Sequence, residues 1–283
     1  MTQQFAAWCS DIHLDHLYSD EDVVKFATDL VAQDPTSVFI TGDISAAPRL
    51  AYHLSIIERV VQRPVYYVLG NHDYYGGDVG SVRKTMHDLS NMSQFLKYLP
   101  LTPYVALSKD TALIGHDGWY DAMYADGVKS TFVMNDWFVI QDFVSSSGGE
   151  MYYMTMRSVK NKDGVIAVAR KLAVQGALHV ANGIKSAVRY HKNIVVMTHF
   201  PPFKESHVYN GKIGDDNAQP WYSSKMMGDT LLAAAKAHAD VDFTVLAGHT
   251  HGLYTGDVLP NLHVKVAGAQ YGRPALAAMI EIK

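Results

Sequence analysis

Cysteine occurs once in this sequence of 283 residues, at Cys9. A lone thiol excludes an internal disulfide framework and any zinc site built on several thiolates, and it agrees with a reducing compartment. Positive charge is not in excess either. Lysine and arginine number 24 against 28 aspartates and glutamates, a formal charge of -4, so the composition holds no basic footprint for a nucleic acid. Long apolar runs are missing: no stretch approaches the ~18 residues of a membrane span. The segment from Met1 to Asp11 has no basic stretch leading into an apolar one and does not read as a signal peptide. These absences lead us to expect a cytoplasmic protein, with neither a membrane nor a nucleic acid as partner. No internal repeat, charge block or proline-rich linker divides the chain.

Core-forming residues are well supplied. Hydrophobic residues make up 48% and charged residues 18%, the balance of a globular protein with a large interior. Short runs rich in Val, Ile, Phe and Tyr alternate with longer stretches of helical period. The pattern predicts strands at 5–10, 37–41, 65–69, 104–107, 111–115, 194–198, 243–247, 262–267 and 276–282. It predicts helices at 19–33, 47–61, 82–99, 165–189 and 224–239, the first opened by Ser19 ahead of Asp20, Glu21 and Asp22. Alternating strands and helices imply an α/β fold with helices outside the sheet. The strand-rich last third implies a second, mixed sheet. Residues 120–150 follow neither period. We expect one domain over 1–283 with an inserted cap or loop region at about 116–157.

Histidine is abundant, at 14 residues, and its placement says more than its number. Five short motifs hold the informative side chains: Asp11-Ile12-His13, Gly42-Asp43, Gly70-Asn71-His72-Asp73, Thr198-His199 and Gly248-His249-Thr250-His251. Each follows directly on a predicted strand. In open α/β sheets ligands gather beyond the carboxyl ends of the strands, so clusters distant in sequence would converge at one rim. Imidazole suits Zn, Fe, Ni and Cu, while carboxylate oxygen suits harder ions such as Mn. A carboxylate can bridge two ions ~3.5–4 Å apart, which then clamp the attacking and leaving oxygens of a displacement. A single histidine in such a loop has a plainer reading as a hydrogen-bonded surface residue. The joint pattern points to metal.

The order D-x-H, GD, GNHD, H, GHxH, running from Asp11 to His251, resembles the calcineurin-like metallophosphoesterase superfamily. Residue by residue, the resemblance implies that Asp11, His13 and His251 hold one metal ion, that Asn71, His199 and His249 hold a second, and that Asp43 bridges both. It implies that His72 contacts the phosphate and protonates the leaving oxygen, with Asp73 orienting it. It further implies two divalent ions (Mn, Fe or Zn) and in-line attack on phosphorus by a hydroxide bridging them. The implied fold is a sandwich of two β-sheets flanked by helices, four layers in the order α/β/β/α. Two branches of the superfamily do not match. Ala46, Ala47 and Pro48 stand where the serine/threonine phosphatases complete GDxxDRG, and Ala46 also stands where purple acid phosphatases carry a tyrosine ligand. What remains is an enzyme for a small phosphate ester, and the missing arginine favours a diester, cyclic nucleotides among them. The alternatives are a phosphomonoesterase, a DNA or RNA nuclease, and a non-catalytic scaffold, although scaffolds lose ligands and this set is complete.

Other residues read less sharply. His16, His116 and His207 sit on loops that could reach a substrate or simply fold there. Cys9 reads as a small core hydrophobe. Trp119, Tyr120, Tyr124, Trp137 and Phe138 could stack a nucleobase or pack the inserted region. Lys204, Lys212 and Arg157 could meet phosphate or face solvent. The segments at 74–107, 115–157 and 200–222 would set the substrate, and none carries a motif that names it.

Overall fold

The computed structural model describes residues 3–148, 150–153 and 156–283. Its first half runs through β1 (Gln4–Cys9), α1 (Asp20–Val31), β2 (Ser37–Thr41), α2 (Ala47–Val61), β3 (Val65–Val68), α3 (Val79–Met92), β4 (Leu96–Tyr98), β5 (Val105–Ala106) and β6 (Thr111–Gly115). There follow α4 (Asp136–Val139), α5 (Gln141–Ser147), β7 (Glu150–Tyr153), β8 (Met156–Ser158) and the long α6 (Lys162–Ala187). The rest comprises β9 (Asn193–Met197), β10 (Val208–Tyr209), β11 (Lys212–Ile213), α7 (Gln219–Tyr222), α8 (Lys225–Ala237), β12 (Asp242–Ala247), β13 (Tyr254–Leu259), β14 (Leu262–Val266) and β15 (Ala278–Ile282).

Two sheets carry the fold. The first has the order β15-β1-β2-β3-β4, parallel except at β15. The second has the order β13-β14-β12-β9-β6-β5, parallel except at its two edges. Side chains alternate across a strand, and the core divides accordingly. Ala6 and Trp8 of β1, Phe39 of β2, Val195 of β9 and Leu246 of β12 meet between the sheets. Ala7, Cys9, Val38 and Ile40 turn the other way, toward the helices of the first sheet. Ile194, Val196, Phe243 and Val245 face the α6 and α8 side. The result is the expected mixed α/β fold, two large sheets flanked by helices. Cys9 is fully buried and free, with burial pushing its thiol pKa up.

Several boundaries differ from the expected ones. The helix predicted at 82–99 begins earlier, where Asp78 caps the Ser81 N–H at 2.8 Å. It also ends earlier, because Ser93 is extended and its Oγ accepts from the N–H of Leu96 at 2.7 Å, releasing the chain into β4. Strands β4 and β13 had no counterpart in the periodicity. By length and mean hydropathy α6 is apolar enough to span a bilayer, although no unbroken apolar run marks it in the sequence. In the structure its buried face is a stripe at 165, 169, 172, 173, 176, 180, 184 and 187, packed on α5, α8, β6 and β9. Within the expected insertion, Trp119, Tyr120, Trp137 and Phe143 are fully buried with Phe200 and Trp221. Tyr124 donates its hydroxyl to the Pro202 carbonyl at 2.8 Å, and Phe138 packs against the same core. These rings fill an interior instead of presenting faces to a base.

Candidate metal centre

The five motif loops leave β1, β2, β3, β9 and β12 and interlock by backbone. Asp11 and His13 donate their N–H groups to the carbonyls of Gly42 and Asp43, both at 3.0 Å, and Gly248 donates to His199 at 2.9 Å. The second and third loops pack back to back. A Cβ on Gly70 would lie 2.2 Å from Asp43 Oδ1, and Gly42, at φ +89°, would place one 2.5 Å from the Gly70 nitrogen. Only glycine fits such an approach. Asp11, His13, Asp43, His249 and His251 all have left-handed φ angles, between 39° and 72°. Non-glycine residues held there cost of order 1–3 kcal/mol each and cluster at functional sites. These turns aim side chains from separate loops at one point.

Two groups of side chains result, and Asp43 belongs to both. Asp11, His13, Asp43 and His251 form one, with Asp43, His199 and His249 forming the other, and the donor atoms in each lie within 4.8 Å of one another. His13 Nε2 is 3.1 Å from His251 Nε2. Asp43 Oδ1 is 3.3 Å from His199 Nε2, and its Oδ2 is 3.8 Å from His13 Nε2. Asn71 joins the second group, its Oδ1 3.2 Å from His199 Nε2. The Nδ1–H of His199 donates to the Thr41 carbonyl at 2.8 Å, the outer bond that fixes a ligating imidazole with its other nitrogen free. All seven side chains are buried except His251, which is partly so.

The electrostatics fit a cation. Asp11 Oδ2 and His249 Nε2 are buried and have no hydrogen-bond partner among the described residues, a condition that ordinarily costs ~1–3 kcal/mol per group. Two imidazole nitrogens facing each other need a proton or a metal between them. Burial would raise the Asp43 carboxyl, yet His199 and His72 hold it well below the usual range. Burial works against the charge on His199, but Asp43 overrides it and carries that ring up to about 10. His13 and His249 are pushed down, chiefly by burial, His13 to about 4. The donor set combines imidazoles, carboxylates and one amide oxygen, the ligand types of borderline divalent ions.

Residues 6–253 match the calcineurin-like phosphoesterase family, most of the chain. The protein belongs to that family. It is a metal-dependent phosphoester hydrolase with a candidate dinuclear site. No curated protein matches it. Among solved structures it is similar to a phosphopantetheinyl hydrolase from Mycobacterium tuberculosis, at 13% identity and a TM-score of 0.67, covering 99% of this chain and 96% of that one. It is also similar to a dimetal phosphatase from Danio rerio, at 12% identity and a TM-score of 0.58, covering 96% and 89%. At these identities the likeness is one of fold.

Around the candidate metal-ligand set of this phosphoesterase, the other expected residues fall in different places. His72 lies at the rim with its side chain 17% exposed and its Nε2 4.0 Å from Asp43 Oδ2. Asp73 was expected to orient His72. Its Oδ1 instead accepts from the N–H groups of Ile44 and Ser45, at 2.7 and 2.8 Å, and its Oδ2 from Gly70 at 2.8 Å. The shape of the loop spends this carboxylate on clamping the second motif to the third. His16 is half-exposed at the mouth, 5.8 Å from the His13 ring. His116 turns inward against His179 on α6, and His207 is buried in a stack on Tyr222. Lys204 is paired with Asp216 at 2.9 Å, and Lys212 is exposed on β11. The side chain of Arg157 lies outside those described.

Three residues escaped the sequence reading. Tyr271, 47% exposed, lies 4.4 Å from the His13 ring and 4.8 Å from that of His251. Asp117 accepts from the Leu69 N–H at 2.8 Å and pairs with Arg83 at 3.0 Å, bracing the strand end before Gly70. Asp136 binds the Asn71 amide at 2.8 Å. The dipeptide His116-Asp117 at a strand end was visible as a possible signal for Asp117, but nothing local marks the other two.

Proposed function

We propose that this phosphoesterase hydrolyses small phosphodiesters, using two divalent transition-metal ions drawn from Mn, Fe or Zn. Asp11, His13, Asp43 and His251 would hold one ion, and Asp43, Asn71, His199 and His249 the other. When bound, the pair would supply Lewis acidity and generate a nucleophile from water near neutral pH. The chain's own residues would do the rest. His72, at the rim with its Nε2 4.0 Å from Asp43 Oδ2, would contact the phosphate and donate a proton to the leaving oxygen. Its ring is stacked on Tyr75 at 4.2 Å, which limits its orientations. Tyr271 would lie beside the ester on the His13 side.

Charge carries the preference for a diester. The side chains paired with Asp11 and Asp43 are histidines, and among the described residues no lysine or arginine pairs with either carboxylate. A monoester dianion gains from a further fixed cation at phosphate, whereas a diester monoanion needs less compensation and depends more on leaving-group protonation. The test is turnover of paired aryl mono- and diesters with Mn²⁺ at neutral pH, alongside cyclic nucleotides, a phosphopantetheinyl ester and single-stranded DNA. We expect diesters to be favoured. A uniform preference for monoesters overturns the diester reading, and preference for DNA with steep salt dependence replaces it with a nuclease.

A further inference from the structure

Asp136 is fully buried on α4, 65 positions from Asn71 along the chain. Its Oδ1 accepts two hydrogen bonds, from Asn71 Nδ2 at 2.8 Å and from the Tyr75 hydroxyl at 2.7 Å. Asn71 Nδ2 also lies 3.2 Å from the Tyr75 oxygen. The amino end of the Asn71 amide is therefore fastened to the α4 side, and its oxygen faces His199. The two ends of a carboxamide are nearly alike in shape but opposite in function. One offers lone pairs and the other offers protons. If the amide turned over, two N–H groups would face the position where a cation needs an electron pair. A carboxylate accepts and cannot donate, so Asp136 enforces one of the two orientations. Through Tyr75 it also steadies the ring on which His72 rests.

We propose that Asp136 is a positioning residue for the metal centre, selecting the Asn71 orientation that presents oxygen to the ion shared with His199 and His249. The inference rests on Asn71 being a ligand, as in the dinuclear reading above. It gives the 116–148 segment a function beyond covering: α4 props one ligand from behind.

The experiment is Mn²⁺ titration by calorimetry, with elemental analysis, on the full chain. D136A should keep one ion at wild-type affinity and bind the other ~10–100-fold more weakly, the range for loss of an outer partner of a ligand. D136N keeps an acceptor oxygen and should restore binding to within a few-fold of wild type. D142A is the control for loosening the same segment. Asp142 accepts from the Val79 N–H at 2.8 Å, so the variant without an acceptor should lower the melting temperature while binding both ions. Two wild-type sites in D136A would overturn the proposal. So would equal loss of the second ion in D142A, because the effect would then be general loosening. A wild-type protein that takes up at most one ion would overturn the dinuclear reading itself.

Discussion

At the scale of single residues, chemistry and coordination should separate by mutation. His72→Ala removes a rim imidazole that belongs to neither ligand group. It should leave both ions bound and slow turnover by ~10²–10⁴-fold. Asp43→Ala removes the carboxylate common to both groups and should empty both positions, as read by elemental analysis after Mn²⁺ reconstitution. Equal metal loss in the two variants would make His72 a ligand. The seven candidate ligands were legible because each sits in a short motif at a strand end, where local spacing and strand direction act together. Asp73 was legible as a site residue, but its partners were not. Its bonds to Ile44 and Ser45 depend on how two loops 28 and 29 positions apart close on each other. Asp136 and Tyr271 belong to the same class, since their roles come from tertiary proximity.

At the scale of elements, the strands that carry the site were legible because they are buried on both faces and read as continuous apolar runs. Two of the edge strands were not: β4 has three residues, too short for any period, and the burial of β13 is incomplete throughout. The region after β6 resisted for another reason. Its order comes from long-range aromatic packing and side-chain bonds, such as Trp221 Nε1 to Ser130 Oγ at 2.8 Å, which leave no periodic trace. His116, at the start of that region, makes its burial measurable. Burial pushes the ring pKa down from 6.5 to about 4. Because the folded value lies below the unfolded one, the unfolded chain takes up the proton first as pH drops. The stability associated with the neutral ring is whole above pH 6.5 and is lost as pH falls toward 4. Denaturant unfolding across that window should show a shallower pH dependence for His116→Asn than for wild type. Identical slopes would mean that His116 titrates normally in the fold.

At the scale of the whole molecule, the sandwich keeps its candidate ligand loops together while drawing them from residues 11 to 251. That separation made the site recognisable as an ordered series, and it also means that neither sheet holds a complete set. The first sheet supplies Asp11, His13, Asp43 and Asn71 at its strand ends, and the second supplies His199, His249 and His251. Cross-sheet bonds, His249 N–H to Asp11 at 2.8 Å and His199 to the Thr41 carbonyl at 2.8 Å, register one half on the other. The strand order has a further consequence at the opposite rim. Since β15 lies antiparallel beside β1, with Gln4 opposite Ile282, residues from the two extremes of the sequence are neighbours, typically ~5 Å apart across such a pair. Topologically the chain is nearly a closed ring, and where the ring is cut should matter little. A circular permutant that joins these segments through a short linker could open between Asn210 and Gly211. That point is the tip of the β10–β11 turn, where a Cβ on Gly211 would meet nothing within 4 Å. Such a permutant should fold and take up the same number of Mn²⁺ ions, although the second sheet's ligands would be split and the order in which all seven leave the ribosome rearranged. A permutant that fails to bind metal while its sheets form would show that the site depends on chain order as well as on the final geometry.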